Sequence, residues 1–195
     1  MSDSFKIDFV GIGASKAGTT WLGHMLDAHP QICISEPREV EFFNDILQFR
    51  EKASPNYGKG LNWYRRFFSH CKTGQLKGEM TPRYGMDPIA ASRIKEHNPD
   101  IKIFLCMRSP VDRIWSHYRF ASFFGKNEDR PLEVALRDEP MYFRMSSYYQ
   151  TIDLYQKYFP KEQMFLIWFE DIVHRPAHLL KEIYTFLGVD PEFQP

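Results

Sequence analysis

The chain has 195 residues, which fits one domain with a substantial core and leaves no room for a second large one. Hydrophobic residues make up 43% and aromatic residues 16% of the sequence, a composition that excludes a disordered or collagen-like chain. Lysine and arginine total 25, as do aspartate and glutamate, so no overall positive field attracts nucleic acid or an anionic membrane. Any anion site must therefore be local.

In chain order, the sequence alternates short apolar runs, typical of buried strands, with segments that have the three-and-four spacing of helices. The predicted elements are a strand at 7–12, a helix at 19–28, a strand at 31–34, a helix at 61–68, a weaker strand at 76–80, a helix at 88–96, a strand at 101–107, helices at 111–121 and 148–158, a strand at 163–169 and a helix at 177–187. Pro110 suits a first helical turn, and Gly188 suits a helix C-terminus with a positive φ.

This alternation predicts an α/β fold with three layers, in which helices cover both faces of a central parallel sheet of about five strands. No composition shift marks a boundary, so we expect a single domain over residues 1–195. Residues 43–57 and 123–131 lack periodicity and are predicted to be surface loops or lids.

The cysteines and histidines suggest neither a disulfide nor a metal site. Cys33, Cys71 and Cys106 are odd in number and scattered, which favours a reducing compartment. The seven histidines lack metal-binding spacing. The N-terminal residues do not read as a signal peptide, and nowhere do about 20 apolar residues follow one another. We expect a cytoplasmic protein with no metal and no membrane or nucleic-acid partner.

The segment GIGASKAGTTWL, residues 11–22, links the first predicted strand to the first predicted helix. Such a turn presents unpaired backbone N–H groups and the positive end of the helix dipole, which together bind anions. Its glycines let the backbone approach a phosphate, Lys16 supplies a charge, and Thr19 and Thr20 offer hydroxyls. Taken alone, the segment is equally compatible with a flexible turn and a solvated lysine.

This loop differs from a Walker A loop, because Lys16 precedes Gly18 instead of following it. No apolar strand ends in an aspartate that would hold magnesium. The strand at 101–107 is followed by Arg108, which suits a second anion.

Four motifs, in order, resemble those of the sulfotransferases that use 3'-phosphoadenosine 5'-phosphosulfate (PAPS), especially the heparan sulfate 3-O- and N-sulfotransferases and their small bacterial relatives. Residues 13–22 resemble the 5'-phosphosulfate loop, and EVEFF at 39–43 resembles the catalytic segment E-x-H-F-F. EMTPRY at 79–84 resembles E-K-T-P-x-Y, and MRSPVDRIWSHY at 107–118 resembles the 3'-phosphate motif. With FLGV at 186–189, the resemblance spans nearly the whole chain.

The resemblance implies transfer of a sulfuryl group from PAPS to an acceptor hydroxyl of a carbohydrate or small molecule, with adenosine 3',5'-bisphosphate (PAP) as product. It implies that Glu39 is the base and that Lys16 stabilises the leaving group; from the residues alone, Glu36 and Glu41 are equal candidates for the base. The implied nucleotide contacts are Gly13, Ala14, Ser15, Lys16, Ala17, Gly18, Thr19, Thr20, Arg108, Ser116 and Tyr148.

Several positions depart from the family pattern. Glu41 stands where the family has histidine, Asn44 where it has aspartate and Met80 where it has lysine, while Arg83 could replace that cation. The resemblance implies a further C-terminal segment that covers the nucleotide, and the few residues after FLGV do not match it, so we expect either a compact form with a simplified lid or a shortened chain. The alternatives are a P-loop-type kinase and an inactive nucleotide-binding module, and the oligomeric state is left open.

Two further features have two interpretations each. Arg113 either braces the loop by an ion pair or is solvated. The aromatic and basic segment at 63–68 is either core packing with two solvated arginines or, with lower weight, a surface that faces carbohydrate.

Overall fold

The computed structural model describes residues 5–45, 56–123 and 128–195. Five parallel strands form one sheet in the order β2-β3-β1-β4-β5. They are β1 (Phe9–Gly13), β2 (Ile32–Ile34), β3 (Leu76–Met80), β4 (Lys102–Met107) and β5 (Met164–Trp168). The predicted fold class is confirmed, and so are all five strands, including the weaker one.

The helices of the described residues cover the two faces of this sheet. They are α1 (Thr19–Ala28), α2 (Leu61–Arg65), α3 (Pro88–His97), α4 (Pro110–Phe123), α5 (Leu132–Asp138), α6 (Met141–Arg144), α7 (Tyr148–Gln156), α8 (Phe169–His174) and α9 (Pro176–Leu187). The six predicted helices are present. The short α5, α6 and α8 were missed because they span two turns or fewer, too little for an apolar period to show.

The central strands β1 and β4 are buried on both faces, as a parallel sheet requires, whereas the edge strand β5 exposes Leu166 and Trp168. Ile103, Leu105 and Met107 of β4 pack into one core cluster, and Phe104 and Cys106, which alternate with them, pack into the other. The apolar run of β4 therefore gives a strand with two buried sides.

The chain reverses its direction of travel across the sheet between β1 and β4. After β1 it builds β2 and β3 on one side, and after β3 it crosses to build β4 and β5 on the other. The loops that follow β1 and β4 therefore meet at the carboxyl edge of the sheet, where open α/β folds bind ligands.

The prediction that the cysteines form no disulfide was wrong. Cys33 of β2 is bridged to Cys71, which follows the 3-10 turn Arg66–Phe68, while Cys106 is free and buried. The two partners are 38 residues apart, and only the packing of the segment after α2 against the edge strand brings them together. The cysteine argument for a reducing compartment therefore fails.

Other expectations fall partly outside the described residues. Of the two predicted loops, residues 46–55 and 124–127 lie outside them. Across the described ranges, no helix combines the length and apolarity needed to cross a bilayer. In the aromatic segment, Tyr64 and Phe68 are buried while Arg65 and Arg66 are exposed, as the core interpretation requires.

Candidate active site

A cavity of about 460 Å3 lies at the carboxyl edge of the sheet. It brings together most of the phosphate loop, the predicted base and residues that follow β3 or belong to α4. Its lining residues are Ser15, Lys16, Gly18, Thr19, Thr20, Glu39, Pro82, Arg83, His117 and Phe120. Lys16 and Glu39, which are 23 residues apart in sequence, therefore face the same space.

The geometry of the loop requires glycine at positions 13 and 18. Gly13 has a φ of 144°, and a Cβ there would lie 2.8 Å from the carbonyl oxygen of Pro82. Gly18 has a φ of 100° and precedes α1, and a Cβ there would lie 2.5 Å from Ile172 Cδ1. Any other residue would therefore be strained and crowded at both places.

The loop offers backbone donors to the cavity. The N–H of Ala14 donates to the Cys106 carbonyl at 2.8 Å, and that of Ala17 donates to the Ala14 carbonyl at 3.2 Å. Within the described part of the chain, the N–H groups of Ser15, Lys16 and Gly18 have no hydrogen-bond acceptor. These donors, together with the N-terminus of α1, fit an anionic group.

Three of the predicted nucleotide contacts are buried within the loop and do not form part of the cavity wall. Gly13, Ala14 and Ala17 are buried and do not line the cavity. Because the N–H groups of Ala14 and Ala17 are already bonded to carbonyls, these two residues shape the loop. Their contact with a nucleotide stays a prediction.

The ammonium group of Lys16 lies over the ring of Phe120, 3.4 Å from its centroid. Partial burial lowers the pKa of Lys16, and the nearby Glu39 carboxylate partly opposes this shift. His117 lies in the same wall, and burial, followed by the charges of Arg113 and Lys16, lowers its pKa to about 4. His117 is therefore neutral at pH 7 and adds no positive charge to the cavity beside Lys16.

Arg113 is fully buried and braces the loop from below. Its guanidinium donates to the Ser15 carbonyl at 3.4 Å, to Ser146 Oγ at 2.5 Å and to the Tyr142 carbonyl at 2.5 Å. Neither of the two sequence interpretations is right in full, because Arg113 braces the loop through hydrogen bonds and forms no ion pair with any residue that the structure describes. Burial lowers its pKa to about 10, so the group stays charged at pH 7.

Glu39 is held in place by a buried network centred on Glu79. The Glu79 carboxylate accepts hydrogen bonds from the hydroxyls of Tyr64, Thr81 and Tyr84 and from the backbone N–H of Val40 at 3.3 Å. Val40 is the residue next to Glu39, so the network fixes the backbone on which Glu39 stands. Burial raises the pKa of Glu79, and its four donors oppose this.

Tyr84 extends this network to the following residues. Its hydroxyl accepts the N–H of Phe42 at 2.8 Å and that of Phe43 at 3.2 Å, while it donates to Glu79 at 2.6 Å. The segment EVEFF is thereby attached, along most of its length, to the end of β3 and to the residues that follow it.

Of the three glutamates that the sequence left open, Glu39 lines the cavity while Glu36 and Glu41 do not. The protein atoms around Glu39 displace water, which raises its pKa, and Arg83 opposes the shift. Glu41 raises the pKa of Glu39 further, but Glu41 is itself paired with Arg83. Glu41, which departs from the family pattern, and Arg83, the candidate replacement for the family lysine, thus form one ion pair beside the base.

Met80 does not face the cavity. Its side chain is 2% exposed and packs in the core under Gly11, where a Cβ would lie 2.3 Å from Met80 Cε. Arg83 lines the cavity three residues later. That Arg83 takes the place of the family lysine stays a prediction.

Arg108 lies beside the loop but outside the cavity of 460 Å3. It follows Cys106, whose carbonyl accepts the Ala14 N–H, by two residues. Its guanidinium lies over the ring of Phe169 at 4.3 Å, and the same ring lies 3.4 Å from the place of a Cβ on Gly18. The Phe169 ring therefore lies against Arg108 and close to Gly18 of the loop.

Tyr148 and Ser116 complete the predicted second anion site. The Tyr148 hydroxyl accepts the N–H of Arg108 at 3.2 Å and donates to the Arg108 carbonyl at 2.9 Å, so it fixes the backbone of that arginine. Ser116 is half-buried in α4. Neither residue lines the cavity, and their contact with a nucleotide stays a prediction.

A model of the sulfotransferase domain family matches residues 6–194. The chain belongs to this family. Human heparan sulfate glucosamine 3-O-sulfotransferase 5 is 27% identical over 92% of this chain and 53% of its own length. A sulfotransferase from Alicyclobacillus acidocaldarius superposes with a TM-score of 0.86 at 27% identity, over 98% of this chain and 84% of that one.

Mouse sulfotransferase SULT7A1 complexed with PAP shares the fold, with a TM-score of 0.61 at 18% identity over 96% of this chain and 62% of that one. The chain spans between 22% and 53% of the length of the curated relatives it resembles. For a sulfotransferase domain, the P-loop kinase alternative is not favoured.

Several residues of this sulfotransferase site escaped the sequence argument. Glu79 and Tyr84 belong to the EMTPRY motif, but a sequence does not show that a glutamate is buried or which donors surround it. His117 lies within the motif at 107–118 and Phe120 just beyond it, and neither is among the nucleotide contacts that the resemblance implies. Both follow at helical spacing from Arg113, which is the signal that could have placed them on one face of α4.

Proposed function

We propose that this sulfotransferase domain transfers a sulfuryl group from PAPS to an acceptor hydroxyl of a carbohydrate or small molecule. The observation that carries the proposal is the shared cavity, in which unpaired loop N–H groups and the Lys16 ammonium face the Glu39 carboxylate. One wall suits an anionic donor, and the other suits removal of a proton.

The residues present fit a nucleotide with anionic groups at both ends. Ser15, Lys16 and Gly18 to Thr20 would hold the 5' end, with Gly13, Ala14 and Ala17 shaping the loop under it. Arg108 and Ser116 would hold the 3'-phosphate, with Tyr148 orienting Arg108. PAPS would supply the activated sulfuryl group, and no metal ion is needed to bind these anions.

In this proposal, Glu39 removes the proton from the acceptor hydroxyl, and its raised pKa makes it a better proton acceptor than an ordinary glutamate. The Lys16 ammonium stabilises the negative charge that develops on the leaving oxygen. The Glu79 network keeps Glu39 at the cavity while the reaction proceeds.

The partners proposed are the acceptor and PAP as product, without nucleic acid or membrane. A cytoplasmic location stays a prediction, and the Cys33–Cys71 disulfide removes the cysteine argument for it. A single domain over residues 1–195 also stays a proposal, alongside the family match to 6–194.

The test is an acceptor screen with radiolabelled PAPS, followed by variants. Glu39→Gln should abolish turnover and leave the affinity for PAP nearly unchanged, because the base does not hold the nucleotide. Glu36→Gln, three residues away and outside the cavity, is the matched control and should keep wild-type turnover.

Three outcomes contradict the proposal. PAP binding without transfer to any acceptor would favour the inactive module. Loss of PAP binding in Glu39→Gln would remove its role as the base. Binding of ATP with magnesium in preference to PAP, measured by calorimetry, would favour the kinase.

A further inference from the structure

A group of three side chains with metal-ligating atoms lies at the edge strand β2, away from the candidate active site. Cys33, His70 and Cys71 each place one such atom there, and the three atoms lie within 4.8 Å of one another. We call these residues the Cys2His cluster. Sequence spacing does not reveal the cluster, because His70 is adjacent to Cys71 but 37 residues from Cys33.

The distances in the cluster suit a tetrahedral zinc ion once the disulfide is opened. In such a site, a sulfur ligand and a nitrogen ligand lie about 3.5 Å apart, and two sulfur ligands lie about 3.8 Å apart. His70 Nε2 is 3.3 Å from Cys33 Sγ, which is close to the first of these distances. Cys71 Sγ has to move away from Cys33 Sγ, and reduction removes the bond that prevents this movement.

Hydrogen bonds hold the cluster together independently of the disulfide. Before the cluster, the Glu36 N–H donates to the Phe67 carbonyl at 2.9 Å. After it, the Gln75 side chain donates to the Ile32 carbonyl of β2 at 3.0 Å. The segment at 70–71 is therefore kept beside β2 when the bridge is open. Ligands that the fold keeps in place lose little conformational freedom when a metal ion binds.

An ion can reach the cluster from solvent. Cys33 is buried, but Cys71 is half-buried and lines an open cavity of about 710 Å3, and His70 is exposed. Among the residues that the structure describes, no fourth cysteine, histidine or carboxylate joins the cluster. A water molecule would therefore complete the tetrahedron, as in zinc sites with three protein ligands.

The donor set selects zinc over the common divalent ions of the cell. Thiolate sulfur and imidazole nitrogen suit zinc, whereas magnesium and calcium require oxygen ligands. Two thiolates neutralise the charge of the ion, so Lys72, which follows Cys71, does not oppose its binding. The bond to zinc would replace the contact between His70 Nε2 and the Ile34 carbonyl, which are 3.1 Å apart.

We propose that the reduced protein binds one zinc ion through Cys33 Sγ, Cys71 Sγ and His70 Nε2. A small thiol reductant opens the bridge: two electrons and two protons pass to the cysteines, and two reductant thiols become a disulfide. Zinc then replaces the proton of each cysteine thiol, and both protons pass to solvent. The disulfide and the zinc ion are thus alternative ways to join the two ends of the segment at 33–71.

The experiment titrates the wild-type protein with Zn²⁺ after reduction with dithiothreitol, which is then removed in the absence of oxygen. Co²⁺ is titrated in parallel, because its absorption spectrum reports tetrahedral geometry and thiolate ligands. We expect one ion per reduced chain, a thiolate-to-cobalt absorption band and no such site in the oxidised protein. Zinc should also raise the urea midpoint of the reduced protein.

Variants test each ligand of the cluster. His70→Ala should raise the Kd for zinc about 100-fold or more, because loss of even an indirect partner of a metal costs up to that factor. His70 is exposed, so this variant keeps the core intact. Cys33→Ser/Cys71→Ser should bind no zinc.

Two matched controls remove the same residue types elsewhere. His178→Ala removes an exposed histidine of α9, and Cys106→Ala removes the free cysteine. Both should keep the zinc affinity of the reduced wild type. Because neither PAPS nor an acceptor is present, the outcome is independent of the proposed sulfuryl transfer.

Any of five results would overturn the proposal: no zinc bound by the reduced wild type, equal binding by the oxidised protein, an unchanged affinity in His70→Ala, an equal loss in His178→Ala or Cys106→Ala, or one ion bound by Cys33→Ser/Cys71→Ser. A cobalt spectrum of octahedral form without thiolate absorption would also overturn it.

Discussion

Glu39 and Glu79 are both glutamates of the candidate site, yet their surroundings give them different roles. Glu39 is exposed at the cavity, while Glu79 is 0% exposed and accepts four hydrogen bonds. A buried carboxylate is tolerated only when its acceptors are satisfied, so Glu79 is suited to holding a backbone in place and not to exchanging protons with substrate.

Replacing Glu79 with glutamine should therefore lower turnover through Glu39. An amide cannot accept hydrogen bonds on both of its ends, so the Val40 N–H or a tyrosine hydroxyl loses its partner and the segment at 39–43 shifts. We expect Glu79→Gln to lower kcat about 10-fold to 100-fold, since small misplacements of a catalytic group are costly. Steady-state kinetics measures kcat and KM separately.

The control is Tyr64→Phe, which keeps the ring, removes one of the four donors to Glu79 and leaves the Phe42 and Phe43 N–H groups bonded to Tyr84, and it should lower kcat less. PAP affinity should stay unchanged in both variants. Wild-type kcat in a folded Glu79→Gln protein would remove Glu79 from the positioning of the base.

The pKa shifts of Glu39 and Lys16 predict a bell-shaped pH dependence of turnover. Glu39 must be ionised, and its pKa is raised. The acid limb, where activity rises with pH, should therefore lie at a higher pH than the titration of an ordinary glutamate. Lys16 must be protonated, and its pKa is lowered. The alkaline limb, where activity is lost, should therefore lie at a lower pH than the titration of an ordinary lysine. In Lys16→Arg the cation persists to higher pH, and the alkaline limb should move upward. An alkaline limb that stays in place would assign it to another group.

At the level of elements, the disulfide joins the two ends of the chain segment that contains the base. Cys33 ends up in β2, Cys71 follows α2, and residues 39–43 lie between them. The bridge thus restricts the same segment that the Glu79 network attaches to the end of β3.

Removing this bridge should lower the free energy of unfolding. The bridge closes a loop of 38 residues, and opening it should destabilise the protein by about 4 kcal/mol, because the unfolded chain gains conformational freedom. Urea unfolding of Cys33→Ser/Cys71→Ser, compared with the wild type, measures the difference.

Reductant is the control for this prediction. It should lower the urea midpoint of the wild type and leave that of Cys33→Ser/Cys71→Ser unchanged. Alkylation in denaturant without reductant should modify Cys106 and neither bridged cysteine. Alkylation of all three cysteines before reduction would show that the bridge is not formed.

For the whole molecule, the strand order places the loop after β1 and Arg108 after β4 side by side. A nucleotide held by both would connect the two halves of the sheet. Saturation with PAP at about 100 times its Kd should stabilise the fold by about 2.7 kcal/mol. Thermal unfolding should report a Tm raised by several degrees, with the same rise in magnesium or in EDTA.

Arg108→Ala tests the second half of this arrangement. It should weaken PAP binding and leave the affinity for adenosine 5'-monophosphate unchanged, because that ligand lacks the 3'-phosphate. An equal loss for both nucleotides in calorimetry would mean that Arg108 supports the fold and not the 3' anion.

The sequence by itself determined the α/β class, the five strands, the longer helices and the place of Lys16 in the turn after the first strand, because apolar period and motif spacing are local properties of the chain, but it did not separate Glu39 from Glu36 and Glu41. Only the tertiary structure decided that Cys33 meets Cys71, that Glu79 holds the base segment, that Arg113 braces the loop and that Met80 lies in the core. These facts depend on which side chains become neighbours across the sheet, and burial and hydrogen-bond partners are set by that packing, so no single segment contains them.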